Sequence, residues 1–159
     1  MKITVLTVGK IKEAFFRDAV AEYQKRLSRY ADLQIVEVAD EKTPDGASTA
    51  EEMKILQTEG ERLLKVWKPD AYHVALAIDG KSLSSEGLAA KMEELCVGGV
   101  SHIQFVIGGS LGLSADVLRA CDYRLSFSAM TFPHQLMRVI LLEQIYRAFR
   151  IRSGEPYHK

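Results

Sequence analysis

Cysteine is nearly missing from this sequence, which contains only Cys96 and Cys121 among its 159 residues. Neither residue belongs to a C-x-x-C motif or to another metal-ligand spacing, so the sequence offers no zinc site and no paired-thiol redox site. A framework of disulfides is excluded for the same reason. We expect both thiols to be free and buried in the core.

Long apolar runs and net charge are missing as well. No run approaches the ~20 residues that a membrane-spanning helix needs, and the formal net charge is zero with 47% hydrophobic residues. The amino terminus MKITVLTVGK lacks the small-residue cleavage site of a signal peptide and has the pattern of a first strand. We therefore expect one globular domain over residues 1–159, soluble and cytoplasmic, with no membrane partner.

The charges that are present are unevenly distributed. Eight acidic residues and two lysines lie between Glu37 and Glu61, whereas six basic and two acidic residues lie between Arg124 and Lys159. The basic end is a candidate surface for a polyanion, although solvated arginines would give the same count. Charge alone does not decide between these interpretations.

Apolar and amphipathic segments alternate along the chain. Short apolar runs predict strands at 3–8, 33–38, 72–79, 102–109 and 123–127, with 72–79 covered on both faces. Helices are predicted at 14–27, from Ser48 to before Pro69, at 84–95, at 114–120 and at 134–150, with serine caps at Ser48, Ser84 and Ser114. The order βαβαβαβαβα predicts an α/β sandwich with a mainly parallel sheet.

The last predicted helix is apolar on nearly every side over its first half. Its apolar residues are Leu136, Met137, Val139, Ile140, Leu141, Leu142, Ile145, Tyr146 and Phe149. Such a helix needs cover all round, so it is either the central core helix of a monomer or part of a subunit interface. We expect a two-fold homodimer whose interface includes this helix.

Three glycines follow the fourth strand in the stretch FVIGGSLG, residues 105–112. A glycine in a packed core lowers the stability of the fold by about 0.5–1 kcal/mol, so a cluster of three glycines needs a physical reason. The spacing fits neither the dinucleotide motif GxGxxG nor the phosphate loop GxxxxGK[ST]. The stretch is therefore either a structural turn or a loop that presents bare backbone to an adenine or ribose at the carboxyl end of the sheet. In the second case a side chain at Gly108 would occupy the space of the ligand.

A second loop of small and polar residues, Ser126 to Thr131, precedes the last helix and leaves its backbone groups free for a ligand. The motifs VIGGSLG, LSFSAMTFPHQLMRVILLEQIYRAFRI and the terminal GEPYHK resemble the SPOUT superfamily of methyltransferases, and within it the bacterial enzymes that methylate a large-subunit ribosomal RNA pseudouridine. The resemblance covers the whole chain.

The resemblance implies a homodimeric enzyme that uses S-adenosylmethionine to methylate N3 of a pseudouridine in 23S ribosomal RNA, within the large subunit or the 70S ribosome. It also implies a carboxyl-terminal trefoil knot, which periodicity cannot indicate because true knots are rare. No metal is needed. The cofactor contacts implied are Leu76, Gly108, Phe127, Ser128, Ala129, Met130, Thr131 and Phe132; Leu76 taken alone would be an ordinary core residue.

The N3 atom of a uracil-type ring is protonated at neutral pH, so the transfer needs a base or a stabilising positive charge. The candidates are His134, Arg138, Glu143, Tyr157 and His158. Non-catalytic alternatives are a helix cap for His134, an intrahelical or interface ion pair for Arg138 and Glu143, and a frayed end for Tyr157 and His158.

The terminal PYHK is too short to build core, which favours a functional arm that reaches the pocket of a second subunit. We expect this end of the chain to hold RNA through Arg150, Arg152, Tyr157, His158 and Lys159. Two other functions stay open: an RNA-binding ribosome assembly factor without catalysis, and a SPOUT methyltransferase that acts on transfer RNA.

Overall fold

Strands and helices alternate through all 159 residues of the computed structural model. The strands are β1 (Lys2–Val8), β2 (Asp32–Val38), β3 (Tyr72–Ser82), β4 (His102–Ile107) and β5 (Tyr123–Ser126). The helices are α1 (Ala14–Leu27), α2 (Thr49–Lys65), α3 (Ser85–Val97), α4 (Ala115–Ala120) and α5 (His134–Arg152). The predicted order of elements is confirmed.

The five strands form one sheet in the order β2-β1-β4-β3-β5, and every neighbouring pair is parallel. Because side chains alternate along a strand, β1 directs Ile3 and Val5 into one core cluster and Leu6 and Val8 into the other. The larger cluster is covered by α1, α3 and α5, and the smaller one by α2 and α4. The α/β sandwich is confirmed.

Side-chain caps fix the starts of three helices as predicted. The Ser48 hydroxyl accepts from the Glu51 N–H at 3.2 Å, and the Glu51 carboxylate accepts in return from the Ser48 N–H. Ser84 and Ser114 accept from the backbone N–H three residues ahead. Each cap satisfies a donor that the helix itself leaves unpaired, which is why the helix begins there.

Helix α5 packs against α1 and α3, but its first half is only partly covered. Leu141, Leu142 and Ile145 are fully buried, whereas four apolar residues before them, Leu136, Met137, Val139 and Ile140, stay half-buried. The expectation of cover on all sides therefore does not hold within a single chain. No helix of the protein has both the length and the apolar character to cross a membrane.

Two further expectations are wrong. Strand β3 is buried only from His73 to Ala75, because its later residues rise above the sheet and expose Ile78. Cys96 is exposed near the end of α3 rather than packed in the core. Cys121 is half-buried, and burial raises the pKa of its thiol to about 11, so it stays protonated and unreactive at neutral pH.

The connection from β5 to α5 carries the chain back across the sheet. β5 is an edge strand beside β3, yet α5 begins next to Gly9 at the end of β1. Residues 127–133 thus pass the carboxyl ends of β3 and β4. The trefoil knot implied by the resemblance stays a prediction.

Candidate functional site

A cleft of about 730 Å³ opens at the carboxyl ends of β3, β4 and β5. This is where open parallel sheets bind ligands, and the volume lies within the range of small-molecule sites. Its walls come from the segments that follow the three strands, and most of the lining residues are apolar. The lining consists of residues 76–79, 107–113, 127–128 and 130–134, with Leu118, Leu125 and Met137.

The first wall is built by an irregularity in β3. Leu76 and Lys81 both pair with Leu125 of β5, so the four residues between them are pushed out of the ladder. A Cβ on Gly80 would come within 2.8 Å of the Arg124 carbonyl group, and only glycine fits there. The bulge turns Leu76 and Asp79 toward the cleft. The sequence did carry a signal for it, since an isolated glycine in a strand pattern indicates a bulge.

The second wall is the glycine loop, which we define as Gly108–Gly112. The Gly112 N–H donates to the Gly109 carbonyl at 3.1 Å, and Gly112 has a φ of +84° that favours glycine. A Cβ on Gly108 would overlap the backbone of Gly112. The expected reason for Gly108 is therefore wrong, because its side-chain space is filled by the loop itself and not by a ligand.

Glu59 of α2, which the sequence did not single out, lies behind the glycine loop. Its side chain is 4% exposed, and both carboxylate oxygens lie 3.2 Å from where a Cβ on Gly109 would be. One oxygen accepts from the Glu41 N–H at 2.9 Å and the other has no partner. Burial raises the pKa of the Glu59 carboxyl group. The Glu59 carboxyl group therefore packs against the back of the loop, where burial disfavours its charged form.

The two loops around the cleft leave their backbone donors unpaired. In the glycine loop the N–H groups of Ser110 and Leu111 donate to no other protein group, and within 127–132 only the Met130 N–H does, to the Ser128 hydroxyl at 3.0 Å. Backbone N–H groups in a folded protein are usually paired. A row of free donors beside an apolar cleft is therefore suited to a ligand with hydrogen-bond acceptors, such as an adenine or a ribose.

Most of the residues proposed for the cofactor meet at this cleft. Its lining includes Leu76, Gly108, Phe127, Ser128, Met130, Thr131 and Phe132. Ala129 belongs to the same loop but is exposed and does not line the cleft.

His134 is the one catalytic candidate that lines the cleft. It is the first residue of α5, whose start has no side-chain cap. Burial, followed by the charge of Arg138, lowers the pKa of its imidazole. A neutral imidazole at this position is able to accept a proton.

Arg138 is 2% exposed and lies outside the cleft lining. Its guanidinium donates to the Glu37 carboxylate at 2.7 Å, to the Gly9 carbonyl at 3.1 Å and to the Thr7 hydroxyl at 3.2 Å. Arg138 does form an ion pair, but with Glu37 of β2 in the same chain rather than within the helix or across an interface, which were the alternatives predicted from the sequence. Arg138 fastens the start of α5 to the ends of β1 and β2.

Glu143, Tyr157 and His158 form a separate polar cluster with Arg147. Glu143 accepts from Arg147 at 2.6 Å and from the Tyr157 hydroxyl at 3.0 Å, while His158 contacts Arg147 at 3.1 Å and Glu86 at 2.7 Å. Glu143 follows His134 by nine residues, or ~13 Å along the helix axis. Within one chain, the five catalytic candidates therefore do not meet at one point.

The carboxyl-terminal tail is docked on its own chain. The Tyr157 ring packs edge-on against Tyr146 at 5.0 Å, and Glu155 accepts from Arg150 at 2.7 Å and from the Tyr30 hydroxyl at 2.7 Å. The frayed-end alternative is therefore wrong, and so is the view that the tail contributes nothing to the core.

The expected RNA contacts of this end are also largely occupied by protein. Arg152 donates to Glu93, Arg150 to Glu155 and Arg147 to Glu143. Of the six basic residues counted between Arg124 and Lys159, only Arg124 and Lys159 themselves are exposed without an ion pair, so most of the basic excess is not free positive charge.

A second cleft of about 340 Å³ adjoins the first and shares Leu125, Phe127 and Phe132 with it. Ile140 and Gln144 of α5 form its other side, and Gln144 accepts from the Ser85 hydroxyl at 2.7 Å. The half-buried apolar face of α5 therefore borders the site.

Comparison with known proteins gives consistent similarities. A family model described as predicted SPOUT methyltransferase matches residues 1–158. Proteins named ribosomal RNA large subunit methyltransferase H from Bifidobacterium adolescentis and Bifidobacterium animalis are 64% and 60% identical over the full length of both chains. A putative protein of the same name from Methanococcus maripaludis is 59% identical over the full length of both.

Two solved structures share the fold at low sequence identity. A probable methylase family protein from Haemophilus influenzae matches with a TM-score of 0.56 and 15% identity, over 99% of this chain and 70% of that one. A putative methyltransferase from Legionella pneumophila, solved with bound S-adenosylmethionine, matches with a TM-score of 0.50 and 10% identity, over 93% of this chain and 66% of that one.

Proposed function

The chain belongs to the SPOUT methyltransferase family, and from this premise we propose that it methylates N3 of a pseudouridine in 23S ribosomal RNA, using S-adenosylmethionine. The observation that carries the proposal is the apolar cleft bordered by free backbone donors on two loops. The names of the full-length relatives support ribosomal RNA of the large subunit as the substrate. Such a substrate would place the protein in the cytoplasm.

The residues of the cleft suit this cofactor chemically. Adenine and ribose present hydrogen-bond acceptors to the free N–H groups of Ser110 and Leu111, while Leu76 and Phe132 offer apolar walls. Asp79 adds a carboxylate to the lining, which complements a ligand that carries a sulfonium and an ammonium group. A cofactor-bound structural neighbour of the same fold supports the assignment.

When bound, S-adenosylmethionine supplies an electrophilic methyl group on its sulfonium. In the transfer the methyl group would pass from the sulfonium to N3, and the proton on N3 would have to leave. We assign the role of proton acceptor to His134, because it lines the cleft and its lowered pKa keeps the imidazole neutral. Arg138 acts as a positioning residue that holds the start of α5.

The separation of His134 from the Glu143 cluster supports a composite site in a homodimer. The tail of one protomer, with Tyr157 and His158, would complete the cleft of its partner. Mixed dimers test this: one subunit carries Leu76→Trp, which fills the cleft, and the other lacks residues 155–159. A tail that acts across the interface leaves one working site and restores methyl transfer, whereas a tail that acts within its own chain leaves none.

The homodimer is supported by the apolar first half of α5, where Leu136, Met137, Val139 and Ile140 are half-buried in one chain. We predict that Ile140→Glu converts the dimer to a folded monomer. Leu141→Glu is the contrasting variant and should unfold the chain instead, because Leu141 is fully buried within it. Light scattering at micromolar concentration measures both, and a monomeric wild-type protein would contradict the dimer.

The function is tested by incubating the protein with labelled S-adenosylmethionine and, separately, 70S ribosomes, large subunits, free 23S RNA and transfer RNA. We expect label on one pseudouridine of 23S RNA, with 70S ribosomes as the best substrate. Label on transfer RNA would favour the alternative SPOUT activity. Ribosome binding without label, alongside intact cofactor binding, would favour an assembly factor.

A further inference from the structure

Free positive charge also lies near the start of the chain, where the sequence count did not place it. Lys10, Lys12 and Arg17 are exposed, and none of them forms an ion pair. Their segment from Lys10 to Asp18 also holds Glu13 and keeps a net charge of +1. In α5, by contrast, Arg138, Arg147, Arg150 and Arg152 are each paired with a glutamate.

An exposed aromatic ring lies among these cations. Phe15 is 65% exposed and is the only aromatic residue among the large apolar side chains that the surface exposes. Its ring centroid lies 4.4 Å from that of Phe16, which is half-buried and backs it. An exposed ring among free cations is the combination that single-stranded nucleic acid sites use, with stacking for bases and charge for phosphates.

Direct contacts connect this surface to the cleft. Arg17 donates to the Lys12 carbonyl at 2.9 Å, and the Lys12 N–H donates to the side chain of Gln135 at 3.2 Å. Gln135 is the neighbour of His134, which lines the cleft, and Gly9 lies against the His134 ring. The surface therefore borders the entrance to the methylation site.

We infer that Lys10, Lys12, Phe15 and Arg17, the β1–α1 patch, bind unpaired nucleotides of the RNA substrate next to the target base. Phe15 stacks on a base, and the three cations contact phosphates. The inference rests on the proposed function and adds a substrate-binding surface to it. The alternative, that the patch binds a second copy of the chain, is an outcome of the test below.

Steady-state methylation of ribosomes at saturating S-adenosylmethionine tests the patch. We expect Phe15→Ala to raise KM for ribosomes about 10-fold, with kcat and cofactor affinity unchanged, and Phe15→Trp to retain the wild-type KM because it keeps a stacking ring. Met53→Ala is the matched control, since Met53 is also 65% exposed but lies on α2, on the opposite face of the sheet.

The cations are tested by the salt dependence of ribosome binding, measured by filter retention. The slope of log K against log salt is negative. Replacing Lys10, Lys12 and Arg17 with Gln should make it shallower by about 2, as expected for three lost phosphate contacts of ~0.7 each. Lys25→Gln, exposed on the last turn of α1, should leave the slope unchanged.

An unchanged KM for Phe15→Ala together with an unchanged salt slope overturns the inference. A change in molecular mass on Phe15→Ala, measured by light scattering, also overturns it and assigns the patch to a protein interface. If the wild-type protein binds ribosomes but methylates no RNA, the proposed function fails. The filter-retention slopes then still decide the role of the patch.

Discussion

The two ends of α5 differ in how completely their polar groups are paired. At its start, His134 faces a cleft bordered by loops with free N–H groups, and the apolar residues after it are half-buried. In its second half, Glu143 and Arg147 pair with each other, and Arg150 and Arg152 pair with Glu155 and Glu93. The start of α5 therefore borders groups that are free to bind a ligand, whereas the charged side chains of the second half are paired with one another or with nearby glutamates.

The comparison shows that the identity of a residue does not reveal whether it is free to act. Arginines in both halves of α5 form ion pairs, yet the Arg138 side chain is 2% exposed and the Arg147 side chain is 25% exposed. Burial of the arginine decides what its contacts are worth, because removing Arg138 leaves the buried Thr7 hydroxyl and Gly9 carbonyl without their donor. The following substitutions separate the chemical role of the first end from the stabilising role of the second.

The largest effect is expected from His134→Gln, which removes the proposed proton acceptor. We predict a fall in kcat of about 10²–10⁴-fold with unchanged affinity for S-adenosylmethionine. The wild-type pKa lies below the usual value for histidine, so the base is neutral at pH 7 and wild-type kcat should fall only as the pH drops below that usual range. Rapid-quench single-turnover kinetics between pH 5 and pH 8 measure both the loss and the acid limb, which should be absent in the variant. Equal kcat values for the two proteins would remove His134 from the mechanism.

The next effect contrasts the buried Arg138 with the partly exposed Arg147. Arg138→Met should cost about 2–4 kcal/mol in the free energy of unfolding, because the Glu37 carboxylate, the Thr7 hydroxyl and the Gly9 carbonyl all lose their donor. Arg147→Met should cost about 1 kcal/mol or less, as expected for a partly exposed pair. Urea denaturation compares the two variants directly. Similar losses for both would show that burial does not distinguish the two ends.

The smallest effect concerns the docked tail. Tyr157→Ala should cost about 1–2 kcal/mol, because the ring packs against Tyr146 and the hydroxyl donates to Glu143. Tyr157→Phe keeps the ring and should cost no more than about 1 kcal/mol. Thermal unfolding gives the two values, and calorimetry should find unchanged affinity for S-adenosylmethionine in both. A wild-type melting temperature for Tyr157→Ala would mean that the tail makes no stabilising contact.

Local chemistry made much of the fold predictable. Strand and helix order followed from periodicity, and the starts of α2, α3 and α4 followed from Ser48, Ser84 and Ser114, since capping depends on residues three apart. The bulge at residues 77–80 and the crossing from β5 to α5 depend on contacts between distant segments, which periodicity does not encode.

In the candidate site, too, the local features were predictable and the long-range contacts were not. The glycine loop and the loop at 127–132 were identifiable because each follows a strand and carries small residues. The burial of Arg138 and the position of Glu59 against Gly109 were not, because both result from contacts across more than 40 residues of sequence. Pairing of the terminal arginines was hidden for the same reason, as Arg152 meets Glu93 of α3.

Amide NMR spectra of nitrogen-labelled protein titrated with S-adenosylmethionine test the central claim most directly. That claim is that the unpaired backbone donors around the cleft hold the cofactor. We predict the largest saturable shifts for the N–H groups of Ser110, Leu111 and residues 127–132, with those of 150–155 much less affected. Saturable binding that leaves the amides of Ser110, Leu111 and residues 127–132 unmoved would contradict the account.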